Sequence, residues 1–533
     1  MALSHTVESS RSDSNIGLAQ FLARHEWIFL LAITLLAASL RFYHLTSLPH
    51  GLQGDEASNG LEARRILREG GIGPYSQTEL GQAAGLFYLD ALAQRALGNS
   101  VLAIRLIPAL LGTLCVPCLF VFVRRHLDFP TAAIAAFLLA VLAWHIHFSR
   151  VGFPLSSWVL CCLLAAWALL EAMRRDDWRW WGLAGGVAGI GIYAYNAHPM
   201  FLAVEFIFLI AYLFRARMAP KSTRAGWFVA FGAGLLLVAL PMLRFALTPD
   251  NHYFAHAEFI SVFRNQGWRQ SSGPLERVGL LVGRYLHYWQ ARIWHSGINW
   301  VDGTGRVPLV SLPMAALAVA GMVMGWRRRQ PLIDFAILTV LAMPVAVVFT
   351  VQGAPRRTFA LAPFLAVLAA IGIVECYRLA KLKEPETTRK IGVALSIGCA
   401  LIACGQLYGY FVVTARSMEL EWVYCADLAD AISFMKRQPP GSYFYFQSDR
   451  WSFNYEPRLY LVPEVRGQDV PFDIRHPERT YDCVRPHATY VLLGSFREDL
   501  DELKLKYPGG LVQEGPPTLA DGRPSFIGYE IGR

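Results

Sequence analysis

Residues 27–59, WIFLLAITLLAASLRFYHLTSLPHGLQGDEASN, combine the two features that decide the fold. The apolar run that begins at Trp27 approaches the roughly 20 residues that a helix needs to cross a bilayer. Two adjacent carboxylates, Asp55 and Glu56, follow this run. Carboxylates beside a membrane are costly to desolvate, so the pair predicts a polar site at the membrane surface.

The composition indicates an integral membrane protein. Of the 533 residues, 54% are hydrophobic and only 17% are charged, whereas soluble proteins carry about 25% charged residues. The net charge of +9 does not indicate nucleic-acid binding, because the basic residues fall in short loops between apolar runs. That distribution is typical of a protein oriented in a membrane. We therefore expect no nucleic acid among the partners.

The apolar segments predict a mostly α-helical, polytopic membrane bundle of about 11 spans. Each segment has the length and low charge of a membrane helix. The candidate spans are Trp27–Leu45, Val101–Val123, Thr131–Ser149, Phe153–Met173, Trp180–Tyr195, Pro199–Phe214, Trp227–Leu247, Val307–Trp326, Pro331–Thr350, Thr358–Tyr377 and Ile391–Val413.

The loops between these segments predict the orientation. Every second loop is basic, and cytoplasmic loops of membrane proteins carry an excess of Lys and Arg. The basic loops contain Arg124-Arg125, Arg174-Arg175, Arg215–Arg224, Arg327–Arg329 and Arg378–Lys390. The N-terminus is therefore expected in the cytoplasm and, because the number of spans is odd, the C-terminus outside. We interpret Gly81–Leu97 as an amphipathic helix in the outer interface, since a span there would invert every later loop.

The chain divides into three expected parts. Residues 1–24 are polar and Ser-rich and predict a disordered cytoplasmic tail, residues 25–413 form the transmembrane domain, and residues 414–533 form a small soluble α/β domain outside the cell. Elements expected in the last part are helices at Asp427–Arg437 and Arg497–Tyr507 and strands at Ser442–Gln447, Thr489–Gly494 and Phe526–Ile531. In an oxidising compartment Cys425 and Cys483 could form a disulfide.

The outer face of this topology collects one acidic centre and several cationic or polar side chains. A carboxylate can act as general base for an attacking hydroxyl or amine, and arginines can hold a phosphate and stabilise its charge as it leaves. The alternatives are structural: Asp55 as a helix N-cap, Glu56 as a first-turn charge and the arginines as anchors of span ends. The candidate site residues are Asp55, Glu56, Arg150, Arg244, Arg356, Arg357, Tyr195 and His198.

Several segments, in this order and placement, carry a resemblance to a known family. They are Asp55-Glu56, Leu86-Phe-Tyr-Leu89, Arg105-Leu-Ile-Pro-Ala-Leu-Leu-Gly112, Phe148-Ser-Arg150, Tyr195-Asn-Ala-His-Pro199 and Pro355-Arg-Arg-Thr-Phe-Ala-Leu-Ala-Pro363. From Trp27 to Tyr377 the chain resembles the polytopic glycosyltransferases of the C-type fold, specifically the family 39 protein mannosyltransferase and lipid A aminoarabinose transferase group.

The resemblance implies sugar transfer from a polyprenyl-phosphate donor at the extracytoplasmic face, usually with inversion. It implies that Asp55 is the catalytic base, that Glu56 assists or orients it, and that Arg356 or Arg357 lies near the donor phosphate. The chain departs from the family where Gln82-Ala-Ala-Gly85 stands in place of Lys-Pro-Pro. Arg244 and Arg150 are the candidates to replace the phosphate contact that this departure removes.

The expected partners are the polyprenyl-phosphate sugar donor, an acceptor protein, lipid or glycan, and membrane lipid, in a bacterial inner membrane. No cofactor is required by the pattern. Mg²⁺ or Mn²⁺ at Asp55 and Glu56 stays open, because oxygen ligands suit these ions. The aromatic and basic run Arg284–His295 fits either anchoring in the interface or a sugar-binding groove.

Three other functions compete with this interpretation. An O-antigen polymerase or ligase also uses outer-face arginines, but usually lacks an acidic pair after the first span. A secondary transporter predicts paired repeats and charges near the membrane midplane, whereas the polar residues here cluster at one face. The third alternative is a non-catalytic envelope assembly protein in which the soluble domain is the active part.

Overall fold

The computed structural model describes residues 25–531, with gaps at 79, 176, 216–220, 250, 265, 272, 295–299, 302–304, 306, 352–353, 472–474, 476–479, 483–484 and 486. The described chain is mostly helical and contains one two-stranded and one five-stranded sheet. The tail expected at residues 1–24 lies outside the described residues. So does Cys483, and with it the predicted disulfide to Cys425.

The apolar segments of the sequence form helices. The first and fifth predicted spans are the helices Glu26–Phe42 and Trp178–Ile190, and two further apolar helices, Phe129–Val141 and Leu312–Trp326, are short. Every predicted span thus contains a helix, while the number that cross the bilayer stays a prediction. Within the described part of the chain, seven helices are long and apolar enough to cross a membrane: Val101–His126, Leu155–Arg175, His198–Arg215, Thr223–Ala246, Pro331–Val348, Pro355–Ala380 and Pro385–Thr414.

The third predicted span is broken into two helices. Phe129–Val141 ends at Leu142, whose extended backbone (φ −64°, ψ 113°) precedes the short helix Ala143–Phe148. The first amide of the short helix donates a hydrogen bond of 2.9 Å to Oε1 of Gln406. A helix start leaves such amides without backbone partners, so this side chain compensates for the break. Arg150 follows in the turn that the short helix enters.

Further helices lie in two long loops, residues 46–100 and 248–306, which the basic-loop pattern predicts outside the cell and which we call the first and second outer loops. The first loop contains Gly54–Glu69 and Gly85–Leu97, which pack against each other. The second loop contains a long helix, Pro274–Trp294, on which Leu275 and Leu286 are exposed, as expected of a helix that anchors in the membrane interface. The remaining short helical segments of the membrane part are Gly191–Tyr193, Ala255–Ile260, Val262–Arg264 and Gln266–Gln270. Three of the long spans also contain a short segment of their own at one end: Val345–Val348, Pro355–Leu361 and Gly409–Thr414.

The chain after residue 417 forms an α/β region. The strands of the protein are β1 Tyr75–Ser76 and β2 Gln82–Ala83 in the first outer loop, then β3 Tyr443–Gln447, β4 Arg466–Asp469, β5 Ala488–Leu493, β6 Leu511–Glu514 and β7 Phe526–Glu530 in this region. The last five form one sheet in the order β4-β3-β5-β7-β6; β3 is parallel to β4 and β5, and β7 is antiparallel to β5 and β6. The helical segments of this region are Met418–Val423, Ala426–Arg437, Glu456–Leu461, Gly494–Asp499 and Leu500–Lys506.

The three strands and two helices expected in this region are all present, but two strands were not predicted. Both β4 and β6 lie at the edges of the sheet and are largely exposed. Edge strands without a buried face have no apolar alternation for a sequence pattern to detect.

The α/β region packs directly on the first outer loop. Gly51 has φ +93°, and a Cβ there would lie 2.1 Å from the carbonyl oxygen of Tyr424, so only glycine fits. Arg64 Nη1 donates to the carbonyl of Leu459 at 3.0 Å. The loop that carries the acidic pair is therefore held between the membrane helices and the α/β region.

Candidate active site

The helix that begins at Gly54 positions the acidic pair. Its N-cap is Gln53, whose Oε1 accepts the backbone amides of Asp55 at 2.6 Å and Glu56 at 3.3 Å. In return, Glu56 Oε2 accepts the backbone amide of Gln53 at 3.2 Å, which completes a capping box. Asp55 is therefore not the N-cap, and its carboxylate is not used to start the helix.

Glu56 points away from solvent into a buried ion pair. Its Oε1 lies 3.1 Å from Arg105 Nε and 2.7 Å from the backbone amide of Gly152, and its Oε2 lies 3.2 Å from Arg105 Nη2. Both side chains are fully buried. Arg105 also donates to the carbonyls of Leu45, Pro49 and Gly51 at 3.3, 2.8 and 2.7 Å.

Arg150 is a second buried arginine beneath the same loop. Its guanidinium donates to the carbonyls of Leu40, Arg41, His44 and Leu48 at 2.9–3.2 Å. These carbonyls lie at and after the end of the first helix, where the backbone has no helical partners for them. We call Glu56, Arg105 and Arg150 the buried arginine clamp; it fixes the loop that leads to Asp55.

Asp55 faces the other way, into a cavity of about 650 Å³. Its side chain is 45% exposed, and Oδ2 lies 3.8 Å from Nη1 of Arg356. Arg357 and Tyr195 line the same cavity. The size is within the usual range for small-molecule sites. Of the eight residues predicted for the site, these four are brought together around one cavity.

The cationic side of the cavity carries its charge on two guanidinium groups. Arg356 and Arg357 belong to the helical turn Pro355–Leu361, whose other residues are mostly buried. His256 lies beside them, and burial together with the charges of Arg357 and Arg356 lowers its pKa to about 4. His256 is therefore neutral near pH 7, so it adds a polar edge but no third charge.

Three neutral polar residues that line the cavity, Asn59, Gln82 and Asn196, were not among the site residues predicted from the sequence. Gln82 Nε2 donates to Asn59 Oδ1 at 3.1 Å, and Asn59 Nδ2 donates to the carbonyl of Gly152 at 2.8 Å. Asn196 Oδ1 accepts the amide of Ala83 at 2.9 Å, and its Nδ2 donates to the carbonyl of Gly81 at 3.0 Å. Asn196 stood within a recognised motif, and that signal could have identified it.

Two other predicted residues are not at the cavity. His198 is fully buried: Trp158 Nε1 lies 3.1 Å from its Nδ1, and the carbonyl of Ala188 lies 2.7 Å from its Nε2. Arg244 is exposed near the end of the helix Lys221–Ala246. With Glu56 and Arg150 in the buried arginine clamp, four of the eight predicted residues lie away from the cavity lining.

The donor set of the cavity does not fit a divalent metal. Among the described residues, no three His, Cys, Asp or Glu side chains stand close enough together to hold a metal ion. Asp55 is the only carboxylate among the described residues that line the cavity, and it faces Arg356. Glu56, the expected second ligand, is held by Arg105.

The apolar walls of the cavity come from membrane helices and from the second outer loop. Methionine, phenylalanine and isoleucine side chains dominate these walls. They are Phe153, Ile192, Met200, Met242, Phe254 and Ile260. The cavity thus presents charge and amide groups on one part of its surface and a hydrocarbon-like wall on another.

The chain is similar in sequence to one known family. Residues 82–245 match the family described as dolichyl-phosphate-mannose-protein mannosyltransferase. No curated protein sequence gives a significant match.

Solved structures are similar over nearly the whole chain. ArnT from Cupriavidus metallidurans bound to undecaprenyl phosphate has a TM-score of 0.52 at 13% identity, covering 95% of this chain and 98% of ArnT. The oligosaccharyltransferase AglB from Archaeoglobus fulgidus, with an inhibitory peptide and dolichol-phosphate, has a TM-score of 0.53 at 15% identity, covering 96% and 75%. The Archaeoglobus fulgidus oligosaccharyltransferase in complex with zinc and sulfate has a TM-score of 0.53 at 15% identity, covering 94% and 73%.

These matches confirm the fold that the sequence predicts. The helical membrane bundle and the C-terminal α/β region together follow the architecture of ArnT and AglB. The chain therefore has the C-type glycosyltransferase fold and resembles the dolichyl-phosphate-mannose-protein mannosyltransferases over residues 82–245.

Proposed function

We propose that the protein is a membrane glycosyltransferase that moves a sugar from a polyprenyl-phosphate donor to an acceptor at the extracytoplasmic face. The observation that carries the proposal is the cavity in which the half-exposed carboxylate of Asp55 lies 3.8 Å from the guanidinium of Arg356. The match to the mannosyltransferase family and the polyprenyl-type phosphates bound to ArnT and AglB support the donor class.

The reaction needs a base and a cation at nearby points. Asp55 accepts the proton of the acceptor hydroxyl or amine as that group attacks the anomeric carbon of the donor sugar. A new bond forms between the acceptor atom and the anomeric carbon, and the bond from that carbon to the phosphate oxygen breaks. The lipid phosphate leaves with the bonding electron pair, and Arg356 and Arg357 stabilise its charge.

The remaining walls have matching roles. Asn59, Gln82 and Asn196 line the cavity with amide groups that already bond to one another or to the backbone, and their remaining lone pairs can accept hydrogen bonds from sugar hydroxyls. The methionine and phenylalanine wall suits the first isoprene units of the donor. Gln82, which stands where the family often has Lys-Pro-Pro, thus joins an amide network rather than supplying a cation.

The placement in the cell follows the basic loops. We propose a multi-pass protein of a bacterial plasma membrane, with the N-terminus in the cytoplasm and the region after residue 413 outside. This orientation puts Asp55, Arg356 and the cavity on the outer side. No metal step is included, because the donor set of the cavity does not fit one, although an Archaeoglobus fulgidus relative has been crystallised with zinc.

Asp55→Asn in reconstituted vesicles tests the proposal. Loss of a general base lowers rates by about 10²–10⁴-fold, so we expect sugar transfer from a polyprenyl-phosphate donor to fall by that factor. Glu69→Gln removes an exposed carboxylate from the last turn of the same helix and should leave transfer unchanged. Normal membrane insertion is checked for both variants.

Three results would contradict the proposal. Transfer that is unchanged in Asp55→Asn would remove Asp55 from the mechanism. Transport of a lipid-linked sugar or another solute by the wild type, without any transfer, would favour the transporter alternative. Joining of preassembled glycan blocks without use of a monosaccharide donor would favour the polymerase or ligase alternative.

A further inference from the structure

A second cavity, of about 810 Å³, lies between the α/β region and the loop that precedes Asp55. Its wall includes His50 from that loop, Trp422 from the helix Met418–Val423, and the segment 516–525 that precedes β7. We call it the outer cavity. None of its lining residues is shared with the cavity that Asp55 faces, so it is a separate compartment with its own chemistry.

The outer cavity is in direct contact with the loop that leads to Asp55. His50 Nε2 lies 2.9 Å from Asp430 Oδ1 in its wall. The next residue, Gly51, packs on the carbonyl of Tyr424, between the lining residues Val423 and Ala426. A molecule held in the outer cavity therefore sits against the same loop that, a few residues later, presents Asp55.

A stack of planar side chains runs from the outer cavity towards Asp55. The Arg450 guanidinium lies 3.8 Å from the ring centre of Trp422 and 4.2 Å from that of Trp451. Trp451 stacks on Tyr455 with ring centres 4.8 Å apart and planes at 23°. A Cβ on Gly54 would lie 2.4 Å from the hydroxyl of Tyr455. The stack thus ends against the residue before Asp55.

The charge of the outer cavity selects against phosphate. Its described lining contains five carboxylates against two arginines and His50. Each of three carboxylates already accepts a hydrogen bond: Asp427 from Trp451 Nε1 at 3.3 Å, Glu421 from the amide of Leu519 at 2.9 Å, and Asp521 from Arg497 at 2.9 Å. The carboxylates are therefore fixed in place, and their excess repels a phosphorylated head group.

The same lining suits a neutral polyhydroxylated molecule. Trp422 is 62% exposed at the wall, and an aromatic face packs against the C–H face of a sugar ring. Fixed carboxylates are pure acceptors for sugar hydroxyls. Ser525 also lines the cavity, although its side chain is largely buried.

We infer that the outer cavity binds a neutral saccharide portion of the acceptor, and so makes the acceptor a glycan rather than a phosphorylated lipid. The inference rests on the proposed function and names the acceptor class for it. The saccharide lies against Trp422, and its growing end follows the planar stack to the loop of Asp55.

The test uses the full-length protein in lipid nanodiscs, labelled and applied to an array of neutral oligosaccharides, phosphorylated oligosaccharides and short peptides. We expect the wild type to retain one or more neutral oligosaccharides. Trp422→Ala should weaken that binding by about tenfold or more, as for an aromatic anchor in a binding site. The control Trp178→Ala removes an equally exposed tryptophan from a helix next to the basic loop at Arg174-Arg175 and should not change binding.

A second variant distinguishes loss of the binding surface from a folding defect in Trp422→Ala. Ala520→Trp fills the outer cavity from an exposed position without altering the planar stack, and it should cause the same loss. The inference is overturned if the wild type retains no neutral saccharide, if both cavity variants bind as the wild type does, or if only phosphorylated or peptide probes are retained.

Binding of undecaprenyl phosphate to the same nanodiscs separates this inference from the proposed function. Both outer-cavity variants should bind the lipid phosphate as the wild type does, because Arg356 and Arg357 are untouched. Absence of lipid-phosphate binding in the wild type would contradict the proposed function, whatever the array shows. Normal lipid-phosphate binding without any saccharide binding would contradict only the acceptor assignment.

Discussion

The two sides of the first turn of the helix Gly54–Glu69 have opposite environments. On one side Asp55 is half-exposed, faces a cavity and approaches Arg356 only at 3.8 Å. On the other side Glu56 is fully buried and is held by Arg105, Gly152 and Gln53. Adjacent residues on a helix point about 100° apart, so one step along the sequence separates a carboxylate available for chemistry from one consumed by structure.

The comparison teaches that an acidic pair is not a functional unit. In the buried arginine clamp, Arg105 and Arg150 donate to backbone carbonyls, Arg105 also donates to Glu56, and neither arginine lines the cavity. The cations of the cavity come from the distant turn Pro355–Leu361. Arg105 and Arg150 therefore position the loop, whereas Arg356 and Arg357 are the arginines available for chemistry.

The largest effect expected from this division is on stability. Glu56→Gln removes the counter-charge of fully buried Arg105, and loss of one partner of a buried ion pair costs about 3–5 kcal/mol. The variant should therefore show a clearly lower thermal midpoint in detergent. Asp55→Asn is the matched control, because it removes the same charge from the same turn and should leave the midpoint almost unchanged.

The comparison would break if Glu56→Gln abolished sugar transfer while keeping the wild-type midpoint. In that case Glu56 would act in the chemistry itself, as the sequence resemblance implied. Sugar transfer is measured at a temperature well below both midpoints, so that unfolding and rate are separated.

A smaller effect is expected on donor binding. Arg356→Gln removes one charged hydrogen-bond donor from the cavity, and such bonds contribute about 1.5–3 kcal/mol, which corresponds to about 10–150-fold in affinity. Arg244→Gln is the control, because this exposed arginine does not line the cavity. Titration with undecaprenyl phosphate checks both, and equal weakening by both variants would assign the effect to general membrane charge.

The smallest expected effect is on the pH dependence of stability, through the contact between His50 and Asp430. The hydrogen bond to Asp430 raises the pKa of His50 above its ordinary value of 6.5. Because the folded pKa is raised, this contribution to stability is complete below pH 6.5 and is lost as the pH rises through the folded pKa. The His50 side chain is half-exposed, so solvent screening limits the effect to at most about 1 kcal/mol.

Thermal midpoints measured from pH 5.5 to 8.5 check this attachment. The decline of the wild type towards high pH should be shallower in His50→Asn, which cannot titrate. Identical pH profiles for the two proteins would show that the contact between His50 and Asp430 does not contribute.

The sequence predicted the helices well because apolar run length and basic loops are strong one-dimensional signals. It did not predict the break at Leu142, since the compensating hydrogen bond comes from Gln406, far along the chain. At the site, the sequence correctly selected four residues that line one cavity, Asp55, Arg356, Arg357 and Tyr195, and their roles stay predictions. Arg150 and His198 do not line it, because each is buried against backbone carbonyls. A sequence does not reveal which buried carbonyls need a hydrogen-bond donor.

The contact between Gly51 and Tyr424 has a consequence for biosynthesis. The loop that carries Asp55 emerges among the first membrane segments, yet its supports come from the end of the chain, as in the hydrogen bond between Arg64 and Leu459, 395 residues apart. Domains fold as units once their residues have been synthesised. The supports of the loop that carries Asp55 are therefore complete only after the C-terminal region has been synthesised and has folded.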